Sequence, residues 1–456
     1  MSAICRSQSI LPEPNTDAEL KQRTGSDKES VFLMSKRSLT MKRSLTRYTI
    51  ALCIMFALVH TFNALYVSFV PLYLQDLSFN GAQRGMLLAI GPFISIFTQT
   101  VWGTMADKSK NKAHVMMLLA GGLSVAILIL TAAGEVGSMG YVTAFVIAGL
   151  ALYACFQNPM LPLIDTISLE YVQTSKPKIQ YSIIRMMGTI SFVVCAYAVG
   201  YLIDASRMGT AVIMPVYLCI IAALFISLFF VPKIAGGQKE KEHIALRMLF
   251  HDHWYTLLIA GGFVVSASYG FNTSNFTTYL RTQLGAGETV IGIATAVSST
   301  LEIFLFFFMR KITRKTGIIN LYLFCILAAT VRWFLTGLVR SIPVLVTVQF
   351  FTQPFTWGIL IYTIAIYIQK AIPEKMHARA QTMMNMLLQS LARIIGTLAG
   401  SLGLHLFGET AVPQIYLTFG FLCGVTLVII VFLCRKMGWT DRKAPPGLEL
   451  TEDSVV

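Results

Sequence analysis

The chain has 456 residues, of which 55% are hydrophobic and 13% are charged, and its formal net charge is +14. A soluble protein of this length could not bury so much apolar surface, so the composition excludes an ordinary soluble fold and predicts a membrane protein. The first element along the chain is a polar, basic segment over residues 1–47. We interpret it as a disordered cytoplasmic tail with no cleaved signal peptide.

About twelve apolar segments follow this tail. A stretch of about 20 apolar residues is typical of a transmembrane helix. The predicted fold class is therefore an all-α membrane protein with twelve transmembrane helices. The predicted spans are about 48–73, 84–105, 113–133, 141–164, 181–203, 212–231, 254–280, 289–309, 318–338, 343–369, 380–406 and 414–434.

The longest polar interruption divides these helices six from six. It contains Gly236-Gly237 and a run of mixed charge. The predicted domains are an N-terminal six-helix bundle over 48–231, a cytoplasmic linker over 232–253, a C-terminal six-helix bundle over 254–434 and a cytoplasmic tail over 435–456.

The distribution of lysine and arginine predicts the orientation. If the N-terminus is inside, the inner segments carry 29 of these cations and the outer segments carry four, namely Arg84, Arg207, Arg281 and Arg340. Such a bias predicts a multi-pass protein of the cell (inner) membrane with both termini cytoplasmic. The net charge then reflects topology and contact with anionic lipid, and we expect no nucleic-acid partner.

Five charged residues lie in the apolar spans or directly at their ends: Asp165, Arg185, Glu302, Arg332 and Arg393. A charge inside a membrane helix costs about 2.5–3.5 kcal/mol even on the lenient insertion scale, and such charges usually face a partner, a cavity or a substrate. The pattern predicts a polar pathway through a helical bundle, which indicates a transporter. Three cations against two acids favour an anionic or carboxylate-bearing substrate.

A basic segment, Gly103-Thr-Met-Ala-Asp107-Lys108-Ser-Lys-Asn-Lys112, closes the second predicted helix. Gly103 would permit a close helix contact, Asp107 would face a helix N-terminus, and the cations would face the cytoplasm. The segment resembles the loop signature of the major facilitator superfamily, with Lys110 at the position of the signature's usual glycine. We predict a gating or structural role for it.

Further motifs narrow the resemblance within that superfamily. Phe69-Val-Pro71, Pro162-Leu-Ile-Asp165, Arg185-Met-Met-Gly188 and Val331-Arg332-Trp333 are similar to segments of the lactose permease, nucleoside symporter and phenylpropionate permease group. The resemblance covers about residues 45–435. It implies a monomer with the major facilitator fold, in which two parallel six-helix halves enclose a site near the midplane.

The resemblance also implies a substrate site. In the lactose permease of this group, a carboxylate of helix four and an arginine of helix five bind the sugar substrate, and an aromatic ring stacks on that sugar. These roles fall on Asp165, Arg185 and Phe192. By chemistry alone, a guanidinium fork and a pair of carboxylate acceptors suit hydroxyls or a carboxylate. The alternative is a structural salt bridge at the cytoplasmic ends of the two helices.

Most of the side chains that translocate protons in lactose permease are absent from this chain. Their positions are occupied by Gly270, Thr273, Ser299, Gln349 and Thr352, so we do not expect lactose as the substrate. Glu302 then remains as the candidate proton carrier, because burial favours the protonated carboxyl and a nearby cation opposes it. Arg332 on the next helix would be its mobile partner; a static ion pair is the alternative. Arg393 would meet Glu302 or attract an anionic substrate.

Polar residues on predicted helices one, four, seven and ten complete a possible cavity. The alternative for each is an interhelical hydrogen bond. The candidates are His60, Asn63, Gln157, Asn158, Asn272, Asn275, Gln349 and Gln353.

The function predicted from these observations is secondary transport of a small polar or anionic organic solute by alternating access, with proton symport. A uniporter, a proton-exchange efflux carrier and a non-transporting nutrient sensor remain alternatives. No cluster of histidines or carboxylates suggests an enzyme. The spacing of the eight cysteines suggests neither a metal site nor a disulfide framework, and we expect no cofactor. The expected partners are the solute, protons and the lipid bilayer.

Overall fold

A computed structural model of the chain describes residues 47–175, 181–206, 208–232, 234, 246–373 and 376–438. Residues 1–46 and 439–456 of the predicted terminal tails and most of the predicted linker over 232–253 lie outside these ranges, whereas residues 435 and 436 of the predicted C-terminal tail belong to the last helix. Within them the chain is built from helices joined by short turns, and no strand occurs in the part described.

Twelve helices follow one another, and we number them α1–α12. The bounds are Arg47–Asp76 (α1), Gly81–Lys108 (α2), Lys112–Ala133 (α3), Met139–Gln157 continued by Met160–Ser175 (α4), Tyr181–Ala205 (α5), Ile213–Leu228 (α6), His253–Thr282 (α7), Glu288–Thr316 (α8), Ile318–Leu338 (α9), Ile342–Gln353 continued by Ile359–Ala371 (α10), His377–Met384 continued by Ala392–Phe407 (α11) and Val412–Lys436 (α12). Eleven spans in the described residues are long and apolar enough to cross a membrane. The twelfth helix, α8, has 29 residues and covers the remaining predicted span. The predicted all-α membrane fold is confirmed.

Side-chain caps fix several helix starts. The Asn80 side chain accepts from the Gln83 backbone N–H, and the Gln83 side chain accepts from the Asn80 N–H, which together form a capping box for α2. Asn111 caps α3, and Asp252 caps α7. These side chains satisfy backbone donors that no helical carbonyl can reach.

Prolines interrupt two of the helices. α4 breaks between its two segments beside Pro159, and α10 continues through a π-helical turn over Pro354–Gly358. A proline lacks the N–H that the regular ladder needs, so the backbone around it must adopt another hydrogen-bonding pattern. The turn in α10 carries Trp357 and Gly358, which both line the site described below.

Small residues bring the two sets of helices, α1–α6 and α7–α12, into contact. α5 packs against α8, and α2 packs against α11. A Cβ at Gly200 of α5 would lie 2.5 Å from the Glu288 carbonyl oxygen. A Cβ at Gly85 of α2 would overlap the side chain of Ser401. Close approach at small residues is how membrane helices gain packing contacts.

Alternating helix directions define two faces of the molecule. We call the face where α1 ends and α2 begins the Asp76 face, and the face where α2 ends and α3 begins the Lys108 face. The starts of α8 and α12 and the ends of α5, α7 and α11 lie at the Asp76 face.

Candidate functional site

Asp165 of α4 and Arg185 of α5 lie near each other, as predicted. The guanidinium Nη1 is 4.0 Å from the carboxylate Oδ1, and the arginine side chain is 56% exposed against 24% for the aspartate. Tyr181 joins them, because its hydroxyl donates to Asp165 at 2.5 Å and accepts from Arg185 at 3.4 Å. The arrangement offers both donors and acceptors to a polar ligand.

His60 of α1 packs against α5 beside this group. Its Nδ1 is 3.0 Å from the Phe56 carbonyl oxygen, and its ring fills the space that a side chain at Gly188 would need. Asn63 is exposed and Phe192 is partly buried. His60 therefore serves α1–α5 packing here, whereas Asn63 and Phe192 are open to other contacts.

Arg332 of α9 is held by neutral acceptors. Its side chain donates to Tyr269 at 2.5 Å, to Thr356 at 3.2 Å, and to the side-chain oxygens of Gln349 and Gln353. The residue is 2% exposed. No carboxylate of the described residues lies within 4.0 Å of it, so the predicted pairing with Glu302 is not formed in this structure.

Two predicted cavity residues take part in hydrogen bonds between helices. Gln349 accepts from Arg332 and donates to Thr336 at 3.2 Å. Asn272 of α7 accepts from the Tyr416 hydroxyl at 3.0 Å. In this conformation both residues fit the structural alternative that the sequence left open.

Glu302 of α8 is partly buried against the π-helical turn of α10. A Cβ at Gly358 would lie 3.1 Å from the Glu302 Oε1. The carboxylate forms no hydrogen bond or ion pair with any described residue, and the cations that act on it electrostatically are Arg185 and Arg332. Arg185 therefore stands in electrostatic range of two acids, Asp165 on its own set of helices and Glu302 on the other.

Arg393 of α11 stacks on an aromatic ring. Its guanidinium carbon lies 4.3 Å from the centre of the Trp357 ring, a cation–π contact. Its Nε is buried without a hydrogen-bond partner, and among the residues described no acceptor or carboxylate engages the rest of the guanidinium. The predicted meeting with Glu302 is not seen.

Ion pairs close the Asp76 face. Arg281 of α7 bonds Asp76 of α1 at 2.7 Å and Glu288 of α8 at 3.0 Å. Arg84 of α2 pairs with Glu409, in the turn between α11 and α12, at 3.5 Å. Arg84 was predicted to lie in an outer polar segment, yet its side chain is only 4% exposed because the second set of helices covers it.

Two carboxylates at the same face cap helices of the opposite set. Glu409 accepts from the Gly81 N–H at 2.7 Å, at the first residue of α2. Asp204, at the end of α5, accepts from the backbone of Glu288 at 3.1 Å and of Thr289 at 2.8 Å, in the first turn of α8. A carboxylate at a helix start is stabilised by the free N–H groups and the helix dipole.

The loop signature differs in detail from its prediction. Nothing lies within 4 Å of a Cβ built at Gly103, so this residue mediates no close helix contact in this state. Asp107 is partly buried and Lys108 is exposed. Lys112 does not face solvent as expected; its side chain is 2% exposed and its Nζ bonds Glu170 of α4 at 2.5 Å.

Tyr181, Asp204 and Glu409 are site residues that the sequence did not single out. Tyr181 had a usable signal, since it precedes Arg185 by one helical turn and shares its face. The two acids had none, because each bonds a helix that is distant in sequence.

Helices of this number and length, with ion pairs between the two sets of helices at the Asp76 face and charged side chains inside the spans, fit a membrane transporter of the major facilitator type. Residues 45–412 match the family described as "MFS_1 like family", and the chain belongs to it.

The relatives and solved structures agree with this class. The uncharacterized transporter YwbF of Bacillus subtilis (strain 168) is 26% identical over 80% of this chain and 89% of its own length. The maltose permease of Geobacillus stearothermophilus is 26% identical over 84% of this chain and 93% of its own. A mutant of the nucleoside transporter NupG shares the fold with a TM-score of 0.74 at 15% identity, over 85% of this chain and 99% of that chain.

Proposed function

We propose that this transporter moves a small polar or anionic organic solute across the cell membrane by alternating access, in symport with protons. The observation that carries the proposal is the position of Arg185, a largely exposed cation that lies 4.0 Å from Asp165 and acts electrostatically on Glu302. A cation shared by two acids can link solute binding to protonation.

Solute binding would begin at Asp165, Tyr181 and Arg185. The guanidinium offers paired donors and the carboxylate offers acceptors, which suits hydroxyls or a carboxylate on the solute. Phe192 and Asn63, which have no assigned contact in the described residues, are available to a bound ring or hydroxyl. His60 would support this wall through its contact with α5, whereas Asn272 and Gln349 would support the opposite wall through their contacts within α7–α12.

Proton coupling would use Glu302. When a solute engages Arg185, that cation acts less on Glu302, and the partly buried carboxyl then favours its protonated form. Release of the solute would return Arg185 to the two acids and favour proton release. Arg332 and Arg393 would keep the electrostatic potential around Glu302 positive.

Alternating access would proceed by rocking of the bundles 48–231 and 254–434 about this site. We assign the Lys108 face to the cytoplasm, because most lysines and arginines belong to segments at that face. The ion pairs of the Asp76 face then close the outer side, and Gly103, Asp107 and Lys108 would act when the inner side closes. We expect a monomer in the inner membrane with both termini cytoplasmic.

Uniport is the second candidate. The observation that favours it is the set of neutral acceptors around Arg332, because this cation bonds to them and forms no ion pair with Glu302, its predicted partner. A carrier whose acid never exchanges partners would move solute without protons.

The test combines binding and uptake. Purified protein is screened for ligand-induced thermal shifts against sugars, nucleosides and aromatic carboxylates, because a ligand that binds the folded state raises its stability. Hits are then measured as uptake into proteoliposomes with and without an inward proton gradient. Symport predicts gradient-driven accumulation that is lost in Arg185→Ala and kept in the exposed control Lys436→Ala. Equilibration without accumulation would indicate uniport.

A further inference from the structure

We propose that Arg393, over the ring of Trp357, binds a carboxylate of the transported solute, which makes that solute an organic anion. The inference rests on the proposed transport function and adds a second binding point, in α7–α12, to the one at Asp165 and Arg185. It comes from a difference between two embedded arginines that the sequence alone would treat alike.

The two arginines differ in their hydrogen bonds. Arg332 donates to four neutral side chains, and its guanidinium carbon lies 5.0 Å from the centre of the Tyr269 ring and 4.9 Å from the centre of the Trp333 ring. Arg393 has the same type of ring contact, at 4.3 Å from Trp357, but no acceptor among the described residues. Arg332 is therefore a structural cation, whereas the N–H groups of Arg393 are available to a ligand.

Stacking prepares Arg393 for a planar anion. A guanidinium that lies on an aromatic face keeps the N–H groups of its edge directed outward, and those groups match the two oxygens of a carboxylate. Trp357 belongs to the π-helical turn of α10, beside the Gly358 that contacts Glu302. The proposed carboxylate site at Trp357 is therefore adjacent in sequence to Gly358, the residue that packs against Glu302.

Close packing fixes the backbone of Arg393. A Cβ at Gly270 of α7 would overlap the Arg393 carbonyl oxygen, and a Cβ at Gly396 would overlap the Ala267 carbonyl oxygen. The same Arg-x-x-Gly-Thr pattern places Gly188, three residues after Arg185, against α1. In each set the arginine therefore lies on the helix that packs against the first helix of that set. Arg185 is on α5, which packs on α1, and Arg393 is on α11, which packs on α7.

Charge balance points to a single negative charge on the solute. The embedded groups are three arginines and two acids, and an unpaired charge in a medium of low dielectric constant is unfavourable. While both acids are ionised, one carboxylate on the solute neutralises the excess. A neutral sugar or nucleoside would leave it in place.

The experiment compares Arg393→Met with Arg332→Met in purified full-length protein. Thermal unfolding is measured without ligand and with two matched pairs of probes, benzoate against benzamide and gluconate against glucose. We expect Arg393→Met to unfold at a higher temperature than the wild type without ligand, because methionine fills similar space without a charge. Arg332→Met should unfold at a lower temperature, because it strands several buried acceptors.

The binding arm gives an independent result. At least one acid should stabilise the wild type more than its neutral partner, with an apparent Kd about 10- to 100-fold weaker in Arg393→Met, the range for a lost charge-assisted hydrogen bond. A lower unfolding temperature for ligand-free Arg393→Met, acids no better than their neutral partners, or equal preference for the acid in both proteins would overturn the assignment. Absence of uptake by wild-type proteoliposomes would count against the proposed function, while both stability measurements would still report on Arg393.

Discussion

Lys112 of α3 and Glu170 of α4 form an ion pair at the Lys108 face, with the ammonium nitrogen 2.5 Å from a carboxylate oxygen. The lysine side chain is 2% exposed and the glutamate side chain 37%. The backbone N–H of Lys112 also donates to the Ile234 carbonyl oxygen at 2.9 Å. The ion pair connects α3 with α4, and the backbone hydrogen bond connects α3 with the chain that follows α6.

Glu170→Gln should destabilise the protein, because it leaves a buried ammonium beside a neutral amide. We expect a loss of about 1–3 kcal/mol, below the value for a fully buried pair because Glu170 is partly hydrated. The measurement is thermal unfolding in detergent. The double variant Lys112→Met with Glu170→Gln should recover part of the loss, and a double variant less stable than both single variants would contradict a direct pair.

Gly396→Ala should lower the unfolding temperature, because its Cβ would overlap the Ala267 carbonyl oxygen and backbone cannot give way as a side chain can. Gly103→Ala is the matched control on α2, where a Cβ meets nothing within 4 Å. There the exchange should raise helix stability by about 0.5–1 kcal/mol. Slower uptake by Gly103→Ala with an undiminished unfolding temperature would place its role in the other conformation.

A disulfide between positions 68 and 295 should lock the closed Asp76 face. The Ser68 hydroxyl donates to the Thr295 hydroxyl at 2.9 Å, so two cysteines there would place their sulfur atoms near bonding distance. In a background without the eight native cysteines, oxidation of Ser68→Cys with Thr295→Cys should stop uptake, and reduction should restore it. The single variant Ser68→Cys should be indifferent to oxidant; continued uptake by the cross-linked protein would rule out movement at this contact.

Glu302→Gln should abolish accumulation driven by a proton gradient and spare solute exchange between the two sides of a vesicle. The amide resembles the protonated carboxyl and cannot release a proton, so the carrier would remain in its solute-accepting form. Uptake and counterflow in proteoliposomes measure the two activities. Intact accumulation by this variant would remove Glu302 from the coupling mechanism.

Tyr181→Phe should weaken solute binding by about tenfold or less, the effect of one neutral hydrogen bond. The variant removes the hydroxyl that donates to Asp165 and orients it towards Arg185. Kd is measured by thermal-shift titration with the solute found in the screen. Tyr197→Phe, at an exposed position of the same helix, should bind as the wild type does; an equal loss in both variants would refute a specific role.

Local sequence pattern predicted most of the helices and the meeting of Asp165 with Arg185. Apolar length determines where a chain can cross a bilayer. Two opposite charges on consecutive helices are held close together by the short connection, and a charge in a membrane helix usually faces a partner. The break in α4 at Pro159 follows from the same kind of local rule.

The partners of Arg332 could not be predicted in this way. Its four acceptors come from two other helices, and neutral glutamine, threonine and tyrosine side chains carry no charge signal that would match them to an arginine. Lys112 shows the converse case. A lysine in a basic loop is normally solvated, and only the tertiary position of Glu170 explains its burial.

The caps at the Asp76 face have a consequence for assembly. α1–α6 supply the acid that completes α8, and α7–α12 supply the acid that completes α2. Each set of helices, made alone, would expose one helix start and one carboxylate without its natural counterpart. The two fragments should therefore associate when they are coexpressed as separate chains, because each fragment supplies the carboxylate that caps a helix start in the other.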